Sequence, residues 1–535
     1  MTTTTVPDTG DGLAAQARHL LSTMERDRAG GVTPSVYETA RLISDAPWLA
    51  GHRRRLDWLI AAQHGDGSWG AGDGYAVVPT VSAVEALLAT LRRHEADDGL
   101  APEVPAAAGR GLAALAAMVA APPRLPDTPA ADLIVPALAD RVNEHLAWFA
   151  GRRAPAFWGA VGQLPAGERG RLDRLRSGLA RGGPIPTKLL HAYEVLGPAL
   201  RRRADVVPVA GAVGASPAAT AAWLGTGEGV DPSVTAYLLE AVGRPAGPVP
   251  CCTPVAVFER AWVLANLTRV GLPVHPPEAL VGELMAALSG AGAATGPGLP
   301  ADADTTSVVL YALARLGRPV APDSLAAFDL GSHFCTWQGE DGRSTTTNAH
   351  VLEALGWHAQ HSPGGTRRQA ARVAALGVWL RERQEPAGCW GDRWHASPYY
   401  ATASVVAALD RYAPAEGDAV DRAVDWVLAT QRADGSWGRW AGTREETAYA
   451  LQVLLGVRRP LRPVVVEAAH RGLRHLGSAD PDAIDPPLWH DKDLYAPVRI
   501  VRSAVLAARH LGSVRLGPDR AVSREPAVSV MISSA

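Results

Sequence analysis

The chain has 535 residues, of which 47% are hydrophobic, and its formal net charge is −2. This length predicts roughly two to four domains, and the nearly neutral charge argues against a nucleic-acid-binding protein. The four cysteines have neither the spacing of a metal site nor the density of a disulfide-stabilised fold, which favours a reducing, cytoplasmic environment.

The ends of the chain carry no targeting pattern. Residues 1–16 lack the positive and apolar regions of a signal peptide, and no run of about 20 apolar residues predicts a transmembrane segment. Attachment to a membrane surface stays open at this point. The small and polar residues at 516–535 predict a flexible tail.

Amphipathic helices are predicted along most of the chain, because apolar residues recur at positions i, i+3, i+4 and i+7. Many of these segments end at Gly or Pro, which stop helices. The sequence therefore predicts an all-α fold with short joints. In chain order, the segments include AVEALLATLRRH, TAYLLEAVG, ERAWVLANLTRVG, RVAALGVWLRERQ, AVDWVLATQ and TAYALQVLLGV.

A short repeat occurs three times, as QHGDGSWG (63–70), QEPAGCWG (384–391) and QRADGSWG (431–438). Asp-Gly favours a tight turn, and the Trp is suited to pack over the junction between two helices. We interpret the repeat as a structural element of helix pairs, not as a catalytic site. Repeated helix pairs form α/α barrels or open solenoids, and the isolated first copy predicts two such domains.

The segment DADTTS (302–307) places two acidic residues, Asp302 and Asp304, before the apolar run of a predicted helix. Two interpretations are open. Either the acids cap the helix together with Thr305, or one of them is a proton donor that faces an apolar cavity.

Together with the repeats, this motif resembles the class II terpene cyclases of the copalyl diphosphate synthase type. The resemblance implies two α/α-barrel domains, a β domain over 12–28 plus 290–515 and an inserted γ domain over 31–285. It also implies an isomerase that protonates a linear prenyl diphosphate, cyclises it and retains the diphosphate. The segments that carry it, in the same order, are SVYETARLI, IPTKLLHAYEVLG, GASPAATAAWL, FERAWVLANLTRVGL, TTTNAHVLEALG and RWHASPYYATA.

The resemblance makes Asp304 the general acid and Asp302 the residue that orients and polarises it. Thr305 stands where most members of the family have a third Asp. Protonating an alkene requires a carboxylic acid that is kept neutral in an apolar site. Asn348 is expected to hold the protonated carboxyl group through its neutral amide.

The remaining candidates concern the substrate. Lys188 is expected to bind the diphosphate, with Arg499 and Arg502 as further candidates. Mg²⁺ is the expected cofactor, and Asp132 is a candidate ligand. Aromatic side chains are expected to stabilise a carbocation in the cavity. The candidates are Trp337, Trp394, Tyr399, Tyr400 and Tyr495.

Several alternatives stay open. Conversion of farnesyl diphosphate to drimenyl diphosphate is slightly preferred, and geranylgeranyl diphosphate giving a copalyl- or halimane-type product is the alternative. A squalene-type triterpene cyclase is a third enzyme, and a non-catalytic helical-repeat scaffold is the alternative from another class. The expected partner is a small prenyl diphosphate and not a nucleic acid. The oligomeric state, the deprotonating base and the product stereochemistry stay open.

Overall fold

The computed structural model describes most of the chain, and this part is almost wholly helical. Its only sheet pairs two short antiparallel strands, β1 (Trp489–His490) and β2 (Leu494–Tyr495). The predicted all-α fold is confirmed. The described residues are 10–94, 102–150, 169–225, 231–243, 247–361, 367–478, 480 and 483–517.

The helices form the inner and outer positions of two rings and mostly alternate between them along the chain; the successive helices Ala303–Arg315 and Thr345–His361 are both inner and are joined through a 3₁₀ segment at Pro322–Phe328. The bounds in the first half are α1 (Gly10–Arg26), α2 (Val36–Asp45), α3 (His52–Ala61), α4 (Val77–Arg93), α5 (Glu103–Ala120), α6 (Ala131–Ala150), α7 (Arg169–Ala180), α8 (Pro217–Leu224) and α9 (Pro232–Gly243). Those in the second half are α10 (Ala256–Arg269), α11 (Glu278–Ala287), α12 (Ala303–Arg315), α13 (Thr345–His361), α14 (Arg367–Arg381), α15 (Pro398–Tyr412), α16 (Gly417–Ala429), α17 (Arg444–Gly456), α18 (Pro463–Ser478) and α19 (Val498–Leu516).

Six helices form the larger ring. In order around it, α10, α12, α13, α15, α17 and α19 each pack against the next, and α19 closes the ring against α10. The helices α1, α11, α14, α16 and α18 pack around the outside of this ring. A continuous apolar core fills the layer between them, as expected for an α/α barrel.

The smaller ring consists of α2, α4, α6, a 3₁₀ segment at Thr187–Leu196, and α8, which packs back against α2. The outer helices α3, α5, α7 and α9 surround it, and it has apolar cores of its own. Two α/α barrels therefore make up the fold.

The boundaries of the two predicted domains stay predictions, and helix packing favours moving one of them, the end of the γ domain. The helices α10 and α11 share the apolar core of the larger ring and pack against α12. This favours ending the inserted γ domain before residue 251, not at residue 285. From residue 518 onward, the predicted tail lies outside the described residues.

The three repeats have one common structure. Each Trp is fully buried, and its Nε1–H donates to a carbonyl of the preceding helix, at 2.8 Å for Trp69, 2.8 Å for Trp390 and 2.7 Å for Trp437. Each Gln amide donates to one carbonyl in its own turn and to another in the next outer helix. Gly435 has a φ of +87°, and a Cβ there would lie 2.8 Å from the carbonyl oxygen of Arg471. The repeats thus join helix pairs, as the sequence predicts.

Helix α5 is, in the described part of the chain, the one helix long and apolar enough to cross a membrane by length and composition. Its buried face packs against α4 within the core of the smaller ring. A core helix of a globular barrel has the same composition.

Candidate active site

Asp302 caps helix α12. Its backbone is extended, and its Oδ1 accepts a hydrogen bond from the N–H of Thr305 at 2.6 Å. Its Oδ2 accepts from the hydroxyl of Thr295 at 3.3 Å. Burial raises the pKa of Asp302 to about 7, although both hydrogen bonds oppose this shift. The cap interpretation of the motif is therefore confirmed for Asp302.

Asp304 has a different environment, although it lies only two residues further along. It occupies the first turn of α12, its side chain is 14% exposed, and its Oδ1 lies 2.6 Å from Nδ1 of His350 on α13. An ionised carboxylate only accepts, so Nδ1–H donates to Asp304 once Asp304 has lost its proton. The His350 side chain is buried and makes edge contacts with Trp262 and Tyr400. His350 thus lies between the Asp304 carboxyl group and these aromatic rings, and the general-acid role of Asp304 stays a prediction.

Asn348 does not have the predicted role. Its Oδ1 accepts from the N–H of Phe334 at 2.8 Å, and its Nδ2 donates to the carbonyls of Phe334 and Ser344. These three bonds anchor the preceding loop to α13. Two residues along a helix are about 200° apart, so only one of Asn348 and His350 faces α12. The structure therefore replaces Asn348 by His350 as the partner of Asp304.

An aromatic cluster surrounds Tyr400 next to this pair. Trp262 donates its Nε1–H to the Tyr400 hydroxyl at 2.9 Å, and the ring of Trp489 lies 4.6 Å from that of Tyr400. The ring centroids of Tyr449 and His395 lie 5.3 Å and 4.9 Å from that of Tyr400. These side chains come from the N-terminal halves of the inner helices or, in the case of Trp489 and His395, from loops at the same end of the larger ring.

A cavity of about 100 Å³ opens beside this cluster and is lined by Trp262, Val308, His350, Tyr400 and Tyr449, among others. Ligand sites commonly measure roughly 300–1,000 Å³. A prenyl chain therefore requires side chains here to move.

The predicted aromatic residues divide into three groups. Tyr400 is central to the cluster, and Tyr495 reaches its edge through Trp489 at 6.5 Å. Trp337 and Trp394 contact each other edge to face at 5.3 Å, and within the described residues neither has a ring contact with Tyr400.

Tyr399 is a correction, because it points to the outer helix α16 and stacks on Trp426 at 4.6 Å. It follows Tyr400 directly on α15, and neighbouring residues of a helix face different directions.

The predicted diphosphate ligands are already engaged. Arg499 forms ion pairs of 2.8 Å with Asp27 and with Glu259, so its charge is neutralised within the protein. Arg502 is exposed on the same helix, and its role stays a prediction. Lys188 lies exposed on the smaller ring and forms an ion pair with Glu340 of the larger ring.

A charged network that the sequence did not predict joins the two rings. Lys492 is fully buried, and its Nζ lies 2.5 Å from Glu38, 2.9 Å from Glu194 and 2.9 Å from the hydroxyl of Ser216. Burial, opposed by Lys492, raises the pKa of Glu38 to about 7. The only lysine in this network is thus shared by two carboxyl groups of the smaller ring.

The adjacent residue Asp491 extends this network to His191, 2.8 Å from its Nε2. The other ring nitrogen of His191 faces the carbonyl of Gly214 at 2.7 Å. Burial lowers the pKa of His191, but the Asp491 carboxylate outweighs it and the net pKa is raised. Because both ring nitrogens face acceptors, the geometry favours the imidazolium, and these ion pairs hold the two barrels together.

The expected Mg²⁺ ligand is not supported. Asp132 lies in the first turn of α6 and forms an ion pair with Arg171. In the part of the chain that the structure describes, no group of three or more His, Cys, Asp or Glu side chains is placed to hold a metal ion. The described residues therefore offer no assembled set of ligands for Mg²⁺.

Comparison with known proteins agrees with this geometry. Residues 338–453 match the squalene-hopene cyclase C-terminal domain family. The chain is 44% identical to the ent-copalyl diphosphate synthase of Streptomyces sp. (strain KO-3988), over 92% of this chain and 95% of that protein. It is 42% identical to the labda-7,13-dienyl diphosphate synthase of Streptomyces clavuligerus, over 92% of this chain and 91% of that protein.

Among solved structures, the chain is similar to ent-copalyl diphosphate synthase from Streptomyces platensis, with 44% identity and a TM-score of 0.88. The match covers 94% of this chain and 99% of that one. Sequence and fold therefore agree over nearly the whole length.

Proposed function

Because this chain belongs to the bacterial class II terpene cyclases, we propose that it converts geranylgeranyl diphosphate into a bicyclic, copalyl-type diphosphate. Relatives named for copalyl and labdadienyl products support this diterpene alternative over farnesyl diphosphate, which the sequence alone slightly preferred. The two relatives are named for different products, although their identities to this chain are nearly equal, at 44% and 42%. Sequence identity therefore does not distinguish between the product isomers.

The pair of Asp304 and His350 carries this proposal. A carboxylic acid protonates an isolated alkene only if its conjugate base is stabilised as the proton leaves. A hydrogen bond from His350 would provide this stabilisation, beside the apolar rings of Trp262 and Tyr400. Asp304 then gives its proton to the less substituted carbon of the terminal alkene, and Asp302 holds the first turn of α12 in place.

The rest of the reaction is an isomerisation. Protonation leaves a tertiary carbocation, two internal alkenes attack in turn, and two carbon–carbon bonds close the bicycle. The final cation loses one proton from a neighbouring carbon, so one proton enters and one leaves. Aromatic faces such as those of Tyr400 and Trp262 stabilise the passing positive charge by cation–π attraction. The diphosphate remains attached throughout.

Lys188 is the proposed contact of the diphosphate. Its side chain is half exposed at the junction of the two rings, opposite Glu340. A diphosphate carries more negative charge than a carboxylate, and an exposed ion pair contributes little stability. Substrate binding is therefore expected to displace Glu340 from Lys188.

The test is incubation of the purified chain with geranylgeranyl and farnesyl diphosphate in separate reactions, followed by phosphatase treatment and mass spectrometry of the alcohols. A bicyclic C20 alcohol with the higher kcat/KM for the C20 substrate is expected. Cyclisation of farnesyl diphosphate alone would restore the drimenyl alternative. Cyclisation of neither would favour the binding scaffold.

A further inference from the structure

A second carboxylate, Glu445, lies buried at the same end of the larger ring as Asp304. It occupies the first turn of α17 and is 0% exposed. Its Oε1 accepts hydrogen bonds from Nε1–H of Trp489 at 2.7 Å and from the hydroxyl of Tyr449 at 3.3 Å. The ring of His395 contacts the same oxygen at 3.3 Å. Three donors therefore converge on a single carboxylate oxygen.

The other oxygen of Glu445 is unusual, because Oε2 is buried and has no hydrogen-bond partner. Hydrogen bonds to a charged carboxylate are stronger than those to a neutral acid, so the contacts that converge on Oε1 favour the charged form. Nδ1 of His395 lies 3.0 Å from the backbone nitrogen and 3.2 Å from the carbonyl oxygen of Ser397, and Nε2 lies 3.3 Å from Glu445. Within the described residues, His395 is the basic side chain that contacts Glu445, and no ion pair joins Glu445 to a lysine or an arginine.

Burying a carboxylate with no lysine or arginine beside it is unfavourable, even with hydrogen-bond donors and a helix N-terminus nearby. Packing alone does not account for it, because a neutral side chain would fill the same space. The position of Glu445 indicates instead that it acts on the cavity. Two of its donors, Trp489 and Tyr449, have rings that lie against Tyr400, and both Tyr449 and Tyr400 line the cavity.

The carboxylate acts on the cavity through these rings. A ring attracts a cation electrostatically, through the negative charge on its face. Donation of the Trp489 N–H and the Tyr449 O–H to a full negative charge polarises both rings and makes their faces more negative. The negative charge of Glu445 also lies behind this wall, where low polarity leaves it poorly screened.

We propose that Glu445 is a positioning residue that determines where the carbocation comes to rest, and thereby which carbon loses the final proton. This inference rests on the proposed cyclase function. In it, Asp304 starts the reaction on one side of Tyr400, and Glu445 favours the cation on the side of Tyr449 and Trp489. Glu445 touches neither the substrate nor the proton in transfer, so its effect appears mainly in product identity.

The test compares product ratios, which a merely structural role would not change. Glu445→Gln removes the charge at nearly constant shape, and Tyr449→Phe removes one donor while keeping the ring. The matched control is Glu446→Gln. Glu446 is also buried, but its carboxylate bonds to Ser397, Thr443 and the backbone of Arg439, and to no aromatic ring.

The prenyl diphosphate that the wild type cyclises is given to each variant, and all products are quantified by gas chromatography and mass spectrometry. For Glu445→Gln, we expect the ratio of the main product to its isomers and water-quenched alcohols to fall about 10-fold or more. Tyr449→Phe should shift this ratio in the same direction by a smaller factor. Glu446→Gln should lower thermal stability and leave the ratio unchanged.

The outcomes separate this inference from the proposed function. An unchanged product ratio in a folded Glu445→Gln enzyme would overturn the inference while the wild-type activity stands. If Glu445→Gln does not fold, an unchanged ratio in Tyr449→Phe would overturn it equally. Absence of any cyclised product from the wild type would overturn the proposed function, and the inference with it.

Discussion

Replacing His350 tests how the acid is held. The His350–Asp304 contact is 2.6 Å long, with side chains 3% and 14% exposed, so water screens it little. A hydrogen bond to a charged group contributes roughly 1.5–3 kcal/mol, which corresponds to about a 10- to 150-fold change in rate. Because this bond strengthens as Asp304 becomes negative, its loss should lower kcat and leave KM nearly unchanged. His350→Ala should fall in the upper part of this range, and His350→Gln, whose amide can still donate, in the lower part.

The assay is steady-state turnover of geranylgeranyl diphosphate, with circular dichroism to measure the folded fraction. Asn348→Ala is the matched control on the same helix. It removes three hydrogen bonds to the loop before α13, so it should lower the melting temperature while the folded enzyme keeps its kcat. The reasoning would be refuted if folded His350→Ala kept full turnover, and equally if folded Asn348→Ala lost turnover as the acid variants do.

Three further predictions concern substrate binding, the pH dependence of stability and the retention of the diphosphate. Lys188→Ala should raise KM by up to about 10-fold with little change in products, since an exposed cation that contacts phosphate contributes uniform binding; a new skeleton at unchanged KM would contradict this. Burial raises the pKa of Asp302 and Glu38 to about 7 and that of Asp493 to about 6, so the folded chain binds protons that the unfolded chain releases. The free energy of unfolding should therefore fall as the pH rises from about 5 to about 7, measured as a falling urea midpoint, and Asp302→Asn should make the decline shallower. The reaction should release no stoichiometric pyrophosphate, which an enzyme-coupled phosphate assay can check.

The fold could be predicted because its determinants are local. Apolar spacing indicates each helix, and the buried Trp of each repeat lies within about a dozen residues of the carbonyl and the hydroxyl that it contacts. Closure of the rings depends on contacts between distant helices, such as α10 with α19. The family resemblance, and not the apolar periodicity, predicted that the rings close and that the domains are barrels and not solenoids.

The candidate site could be predicted only in part. Asp302 and Asp304 stand out because their motif precedes an apolar helix, but the choice between Asn348 and His350 depends on the rotation of α13 about its axis. Helical spacing contains this information only when the direction of the neighbouring helix is known. Sequence alone therefore identified the segment but not the residue.

Long-range charge pairing could not be predicted at all. Lys492 and Glu194 are 298 residues apart, and Lys188 and Glu340 are 152 residues apart. Each residue has an ordinary local context in the sequence. Their partners are determined by the way the two barrels meet, which no local pattern encodes.

The most direct test of the central claim is the reaction of geranylgeranyl diphosphate in D₂O, followed by mass spectrometry of the dephosphorylated product. If Asp304 starts the reaction by protonation, the wild-type product should gain one mass unit, with the deuterium in the ring methylene next to the gem-dimethyl carbon. Asp304→Asn should fold normally, because Asp302 caps the helix, and should yield no labelled bicycle. An unlabelled bicyclic product from the wild type, or a fully active Asp304→Asn enzyme, would contradict the account.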